Sequence, residues 1–159
     1  VAGIDIVGPS NLETLLNSIP PYWKPQIAHL IKIIGASPET EEGRAFLKER
    51  SPLSFAKNIK KPLLIVQGAN DPRVKQAESD QIVEAMKKLS IPVVYLLYPD
   101  EGHGLARPEN RLSMYANAEV FLANFAGGRF AGHNNNFPGS SVVVKEGSDI
   151  TWTREKKNN

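Results

Sequence analysis

The chain has 159 residues, which fits one domain, and its 41% hydrophobic and 23% charged residues can bury a core, which excludes a disordered protein. A net charge of +2 gives no basic surface typical of a nucleic-acid binder, and no apolar run approaches the roughly 20 residues that span a membrane. The lack of cysteine excludes disulfides and thiolate metal sites and leaves the compartment unknown.

The chain opens on an apolar, β-branched segment, residues 1–7, which Gly8 ends and which predicts a buried strand. Its one carboxylate, Asp5, is expected to be hydrogen-bonded near the end of that strand. Domains usually start on polar, loosely held residues. A chain that starts on a buried strand is therefore expected to be a fragment of a longer protein.

A helical excursion follows between the first strand and the second. Prolines interrupt it, and the pattern predicts three helices, over residues 12–18, 26–34 and 38–50. Enzymes of the α/β class place lids and pocket walls in such excursions. Tyr22 and Trp23 are therefore candidates for lining a substrate-binding pocket. The alternative is that these two aromatic residues pack the excursion onto the sheet.

Residues 62–98 predict a strand, an amphipathic helix and a second strand, at 62–67, 76–89 and 92–98. The charged residues of this helix, Glu78 among them, are expected to face mostly water. Together with the preceding elements, the pattern predicts a mainly parallel α/β sheet with flanking helices.

The last part of the chain changes in character. A long helix is predicted over residues 108–125, and two glycines end it. A loop rich in glycine and asparagine follows, with β propensity at residues 140–145 and 150–152. The sequence therefore predicts an α/β domain over residues 1–127, and a C-terminal loop with a short β tail over residues 128–159.

A polar side chain follows each of the two central strands at its carboxyl end, Asp71 after the first and His103 after the second. In an open α/β sheet the loops at these ends converge on one crevice, where ligands bind. A buried carboxylate that accepts the Nδ1–H of an imidazole fixes its tautomer, and it stabilises the imidazolium formed when Nε2 takes a proton from a nucleophile. The pair therefore favours a hydrolase. The alternative is that Asp71 caps a helix and His103 is an ordinary turn residue.

Five stretches of the chain, at residues 3–12, 20–23, 62–74, 102–104 and 108–111, carry a resemblance to a known family. They resemble the C-terminal part of the α/β-hydrolase domain of the prolyl oligopeptidase family of serine peptidases, with the greatest similarity to its dipeptidyl-peptidase and acylaminoacyl-peptidase branches. The resemblance covers about residues 1–127. It implies that Asp71 is the acid and His103 the base of a catalytic triad, and no cofactor or metal is expected.

The same resemblance implies that the chain holds the last three strands of an eight-stranded sheet, in the form of a three-strand parallel unit. In that family residues 1–7 would pair with an upstream strand. Without that strand an apolar edge is bare, and a bare edge is a template for pairing with another chain. Self-association through residues 1–7, or burial by an upstream segment, is therefore expected.

The chain contains no G-x-S-x-G sequence, the motif that carries the nucleophilic serine of such hydrolases. Ser10 follows Gly8 and Pro9 but has no glycine two positions on. The upstream catalytic-domain segment and the propeller domain of the family are also expected to lie outside the chain. We therefore expect a fragment of a serine peptidase whose parent hydrolyses peptide bonds of oligopeptides and which is inactive alone.

Two alternatives remain open at this point. One is a non-catalytic α/β module that serves binding or assembly. The other is an esterase-like hydrolase whose nucleophile comes from a partner chain.

Overall fold

The computed structural model describes residues 1–133 and 136–151. Its centre is one sheet in which four strands lie side by side in chain order: β1 (Gly3–Ile6), β2 (Leu63–Gly68), β3 (Val93–Tyr98) and β4 (Val143–Glu146). The first three strands are parallel, and β4 runs antiparallel to β3. The predicted α/β class is confirmed. The sheet has one strand more than the three-strand unit that the resemblance implies, and this strand, β4, overlaps the predicted β segment at residues 140–145.

Helices connect the strands in the order that the sequence predicted. The described helices are α1 (Leu12–Asn17), α2 (Ile27–Ile34), α3 (Glu41–Glu49), α4 (Gln76–Lys88), α5 (Pro108–Ala126) and a single turn, α6 (Ser148–Thr151). Two 3₁₀ segments, Pro21–Gln26 and Pro52–Asn58, complete the excursion between β1 and β2. Local signals set the ends: the Asn11 side chain accepts the amide of Glu13 at the start of α1, and Gly35 closes α2 at φ 92°.

Two boundaries differ from the prediction. Helix α3 begins at Glu41 and not at Pro38, because Thr40 is its N-cap and accepts the amide of Gly43 at 3.0 Å. The strand predicted over residues 150–152 is wrong where the structure describes it, since residues 148–151 form α6; Trp152 lies outside the described residues.

Helices cover both faces of the sheet, so its central strands are apolar on both sides. On one face α4 packs on alternate residues of β2 and β3, through Ile82, Val83, Met86, Ile65 and Tyr95. On the other face α5 packs on the intervening residues, through Met114, Phe121, Leu64, Val66 and Leu96. This two-sided burial explains why β2 and β3 are continuous apolar runs and not alternating ones.

The two edges of the sheet differ. β4 covers the free edge of β3, with Val143 opposite Leu97 and Val144 opposite Leu96. β1 forms the other edge, and Ile4 and Ile6 are 38% and 44% exposed there. A short β-branched segment such as 143–146 indicates a strand, but its sequence does not say which edge it joins.

Asp5 lies in the edge strand, as the sequence placed it. Burial raises the pKa of Asp5, and a hydrogen bond from the backbone amide of Gly8 partly offsets that effect. The expectation of a hydrogen-bonded carboxylate near the strand end is confirmed. A side chain at position 8 would collide with this carboxylate, because an added Cβ would lie 2.1 Å from Asp5 Oδ1.

Candidate active site

Asp71 lies directly after β2 and is 2% exposed. Its amide donates to the carbonyl of Gly68, which turns the chain at the end of the strand. Its Oδ1 accepts the amides of Arg73 at 2.8 Å and Val74 at 3.0 Å. Asp71 thus fixes its own loop, as an aspartate does in a turn, while its Oδ2 faces the loop after β3.

His103 meets that second carboxylate oxygen. Its Nδ1 lies 2.8 Å from Oδ2 of Asp71, and the imidazole side chain is 31% exposed. With the carboxylate ionised, Nδ1–H donates to it, so Nε2 is the nitrogen that can take up a proton. The structure therefore brings together the two residues that the sequence singled out, at the carboxyl ends of neighbouring parallel strands.

Backbone hydrogen bonds hold the two loops against each other. The amide of Asn70 donates to the carbonyl of Glu101 at 2.9 Å, and the amide of Ala69 donates to that of Tyr98 at 3.0 Å. The Asn70 side chain donates to the carbonyl of Pro99 at 2.8 Å. Gly68 permits this approach, since an added Cβ would lie 2.2 Å from the carbonyl oxygen of Gly102.

Glu101, two residues before His103, is a buried carboxylate that sequence reasoning missed; it is 2% exposed. It accepts the amides of Ala106 at 2.8 Å and Arg107 at 2.9 Å, and Nδ2 of Asn110 at 2.8 Å. Burial opposes its ionisation, but these hydrogen bonds together outweigh that cost, so the pKa of Glu101 is lowered. Its position beside a candidate histidine was the only signal in the sequence.

Glu78 on α4 was predicted to face water, and that prediction is wrong, since the residue is 1% exposed. Its Oε2 accepts the amides of Ser10 at 3.0 Å and Asn11 at 2.8 Å, and its Oε1 accepts the hydroxyl of Thr14. The helical pattern could not reveal this burial, because the donors come from a turn more than sixty residues away. Glu78 thus fastens the start of the excursion to α4.

Tyr22 and Trp23 lie in the 3₁₀ segment Pro21–Gln26 and contact each other edge to face, with ring centroids 6.4 Å apart. Tyr22 is 57% exposed, and neither ring belongs to the described core clusters. The Arg73 guanidinium lies 5.7 Å from the centroid of the Trp23 ring. Since the Arg73 amide also donates to Asp71, Trp23 contacts the loop that carries Asp71.

Within residues 1–133 and 136–151, no three histidine, aspartate or glutamate side chains come together as metal ligands. No helix in the same part of the chain combines the length and the apolar character needed to cross a membrane.

Comparison with known proteins gives concordant matches. The model of the prolyl oligopeptidase family matches residues 33–129. Dipeptidyl aminopeptidase BIII of Pseudoxanthomonas mexicana is 58% identical over 147 residues, which are 92% of this chain and 21% of that protein. Dipeptidyl peptidase family member 6 of Caenorhabditis elegans is 52% identical over 144 residues, 91% of this chain and 20% of that protein. The chain thus spans about a fifth of the length of these curated relatives.

Solved structures give a similar result. An acylaminoacyl peptidase in complex with Z-Gly-Gly-Phe-chloromethyl ketone superposes with a TM-score of 0.68 at 25% identity, covering 84% of this chain and 21% of that one. The uncomplexed acylaminoacyl peptidase of Pyrococcus horikoshii gives a TM-score of 0.66 at 26% identity, covering 83% and 21%.

Proposed function

The chain belongs to the prolyl oligopeptidase family, and we propose on that premise that it supplies the aspartate and the histidine of a Ser-His-Asp triad. Asp71 is the acid and His103 the base. The observation that carries this proposal is the 2.8 Å hydrogen bond between His103 Nδ1 and Asp71 Oδ2 at the carboxyl ends of two parallel strands.

The hydrogen bonds of Asp71 suit this role. Two backbone amides occupy Oδ1, so the carboxylate cannot rotate away, and Oδ2 accepts Nδ1–H of the imidazole. This arrangement leaves Nε2 of His103 to take the proton of a serine hydroxyl and then to deliver it to the leaving amine. The buried carboxylate stabilises the imidazolium that forms between these two transfers.

We infer that the serine comes from another part of the protein, because no G-x-S-x-G sequence occurs in these 159 residues. We propose that the chain is a piece of a longer peptidase that hydrolyses peptide bonds of oligopeptides, and that the chain alone is inactive. Residues 1–127 then form part of the catalytic domain and residues 128–159 its C-terminal extension. The upstream catalytic-domain segment and a propeller domain are its partners.

The exposed edge strand fits this proposal. Ile4 and Ile6 of the edge strand β1 leave apolar side chains exposed, and so does Val1, which precedes the strand. An upstream strand of the parent would cover them, and the isolated chain is expected to self-associate through residues 1–7 instead. A monomer in dilute solution by light scattering would contradict this expectation.

The names of two relatives support a substrate class. Those with 58% and 52% identity are named as dipeptidyl peptidases, which supports release of dipeptides by the parent protein. The contact between Trp23 and Arg73 supports a substrate-lining role for the 3₁₀ segment Pro21–Gln26, because it places that segment beside the loop of Asp71.

A chimeric enzyme tests the proposal. This chain would replace the 147 residues that match it in the dipeptidyl aminopeptidase of Pseudoxanthomonas mexicana, whose remaining chain is expected to supply the serine. We expect a fluorophosphonate probe, which reacts with an activated serine, to label the chimera and not the isolated chain. His103→Ala should abolish labelling, whereas His29→Ala, a change in an exposed histidine of α2, should leave it intact.

Other outcomes would contradict the proposal in different ways. Labelling of the isolated chain would show that it has its own nucleophile. A folded chimera that is not labelled, or that is labelled equally with His103→Ala, would favour a non-catalytic binding or assembly module.

A further inference from the structure

His103 lies in a short loop, residues 99–107, which we call the histidine loop. Glu101 holds this loop closed through its hydrogen bonds. The carboxylate of Glu101 accepts the amides of Ala106 and Arg107, on the far side of His103. The carbonyl of the same residue accepts the amide of Asn70, next to Asp71. Glu101 therefore holds the chain on both sides of His103 by hydrogen bonds, and it connects the histidine loop to the loop that carries Asp71.

Asn110, on α5, extends this network away from the site. It is 0% exposed. Its Nδ2 donates to Glu101 at 2.8 Å and to Asp100 at 3.0 Å. Its Oδ1 accepts the amide of Ser141 at 2.9 Å and the hydroxyl of Ser140 at 3.0 Å. One side chain thus connects the histidine loop with the segment that precedes β4.

That segment, residues 139–142, makes further contacts with the same loop. The Arg107 guanidinium donates to the carbonyl of Gly139 at 2.7 Å, and the hydroxyl of Ser141 donates to Asp100. Ser140 lies 2.9 Å from the hydroxyl of Ser113 on α5. Directly after the segment, β4 pairs with β3, which anchors it to the sheet. We call residues 139–142 the strap.

We propose that the strap and Glu101 hold the histidine loop in place, with Asn110 between them, and that Glu101 is a positioning residue for His103. This inference rests on the proposed function of the Asp71–His103 pair and adds the part of the chain that supports it. The Glu101 carboxylate is the central group of this network. It accepts the amides of Ala106 and Arg107 and the side chain of Asn110, and these three donors share no other acceptor.

Loss of the Glu101 carboxylate should change the hydrogen bonding of the His103 imidazole. Glutamine at position 101 offers one acceptor oxygen in place of two, and its NH₂ group would face an amide donor. Such a conflict in a buried site costs more than the hydrogen bond it replaces. We therefore expect the loop to sample open states, in which Nδ1 of His103 leaves Asp71.

The test uses nuclear magnetic resonance on the full 159-residue chain, with long-range proton–nitrogen spectra that report the tautomer of each imidazole. In the unchanged chain His103 should show the Nδ1–H tautomer. Glu101→Gln should replace that signature with a mixture of tautomers, and it should speed hydrogen exchange at the amides of Ala106 and Arg107 about tenfold. His29, on α2, serves as the internal reference in every spectrum.

Glu78→Gln is the matched control for burial, because Glu78 is also a buried carboxylate that accepts two backbone amides, at a site away from the histidine loop. It should leave the His103 signature unchanged. Asn110→Ala tests the strap with Glu101 still charged, and it should shift His103 in the same direction as Glu101→Gln. Asn117→Ala, a change of another buried asparagine on α5, should not.

Asp71→Asn separates the two claims. If it changes the His103 tautomer while Glu101→Gln and Asn110→Ala both leave it as in the unchanged chain, the positioning role is overturned and the proposed function stands. If Asp71→Asn leaves the tautomer unchanged, the pair does not exist in solution and both claims fail. Should Glu101→Gln not fold, Asn110→Ala carries the same test.

Discussion

The loops at the carboxyl ends of β2 and β3 differ from the helical excursion in how they are held. In the loops, residues 68–74 and 99–107, backbone amides and carboxylates of one segment pair with the other, and Asp71 and Glu101 are both buried. In the excursion, α2 has no buried residue, and Ile33 is 68% exposed. The candidate site therefore lies where two loops are hydrogen-bonded to each other, whereas α2 leaves apolar side chains exposed.

The excursion is nevertheless attached at its two ends. Glu78 accepts amides where it begins, and the hydroxyl of Ser51 accepts the amide of Leu12 at 2.9 Å where α3 ends. Leu47 on α3 is fully buried. The difference thus lies between these ends, in α2 and the preceding 3₁₀ segment. The geometry of Asp71 and His103 is therefore expected to depend little on how α2 packs, whereas Trp23 in the 3₁₀ segment contacts the loop of Asp71.

The largest loss of stability is expected from the core between α5 and the sheet. Phe121 on α5 is 0% exposed and belongs to the cluster that packs α5 on one face of the sheet. Phe121→Ala should lower the free energy of unfolding by about 3–5 kcal/mol, because a large buried ring leaves a cavity. Urea unfolding would measure this loss. Leu122→Ala, at a residue 40% exposed, is the control, and equal losses for the two would contradict the described core.

A smaller loss is expected where the two loops touch. Gly68→Ala places a methyl group against the carbonyl oxygens of Gly102 and Glu101, 2.2 and 2.6 Å away. The backbone must move apart, at a cost of about 1–3 kcal/mol, and the hydrogen bond between Asp71 and His103 should be lost with it. Gly132→Ala meets nothing within 4 Å and should be neutral. If both variants unfold at the same urea concentration, the loops do not approach as described.

Acid should loosen the histidine loop through Glu101, but it should not loosen β1 through Asp5. Because the folded-state pKa of Glu101 is lowered, its contribution to stability is present above its unfolded pKa and is lost as the pH falls through the folded value. The pH dependence of the Asp5 contribution to stability has the opposite sign. Burial raises the pKa of Asp5, so its protonation at low pH removes the cost of a buried charge.

Amide protection measured by hydrogen exchange between neutral and acidic pH would reveal this difference. Protection at Ala106 and Arg107 should fall on acidification in the unchanged chain, and this pH dependence should disappear in Glu101→Gln. If the pH dependence of protection survives in Glu101→Gln, a group other than Glu101 causes it, which would contradict this prediction.

The smallest effect is expected in the excursion. Ile33→Ala removes apolar surface that is 68% exposed, so the free energy of unfolding should change by no more than about 0.5 kcal/mol. Thermal unfolding of the isolated chain would test this. A loss above about 2 kcal/mol would mean that α2 is buried in solution, and it would remove the contrast between the two regions.

The sequence was sufficient for the part of the fold that carries the candidate site. Continuous apolar strands, an amphipathic helix between them and a polar residue after each strand predicted β2, α4 and β3, and they predicted that Asp71 and His103 would meet. These features are local in the sequence. Because consecutive parallel strands lie side by side, the residues that follow their carboxyl ends come together at one edge of the sheet.

Features that depend on the folded conformation of other segments or of a loop were beyond sequence reasoning. The burial of Glu78 depends on amides at residues 10 and 11, and that of Glu101 on the conformation of residues 106 and 107. A carboxylate in an amphipathic helical pattern is predicted to be exposed. Its burial requires hydrogen-bond donors, and the pattern does not reveal them. The position of β4 is a similar case, since the strap before it is held on α5 by hydrogen bonds to Asn110 and Ser113 that the sequence does not reveal.

The measurement that tests the central claim most directly is peptide hydrolysis by the chimeric enzyme with Asp71→Asn. If Asp71 orients His103, kcat should fall by about 10⁴-fold with little change in KM, the scale known for loss of the triad aspartate in a serine protease. Glu78→Gln, at the buried carboxylate of α4, should leave kcat near that of the unchanged chimera. An Asp71→Asn chimera that retains kcat within a few-fold would contradict the account.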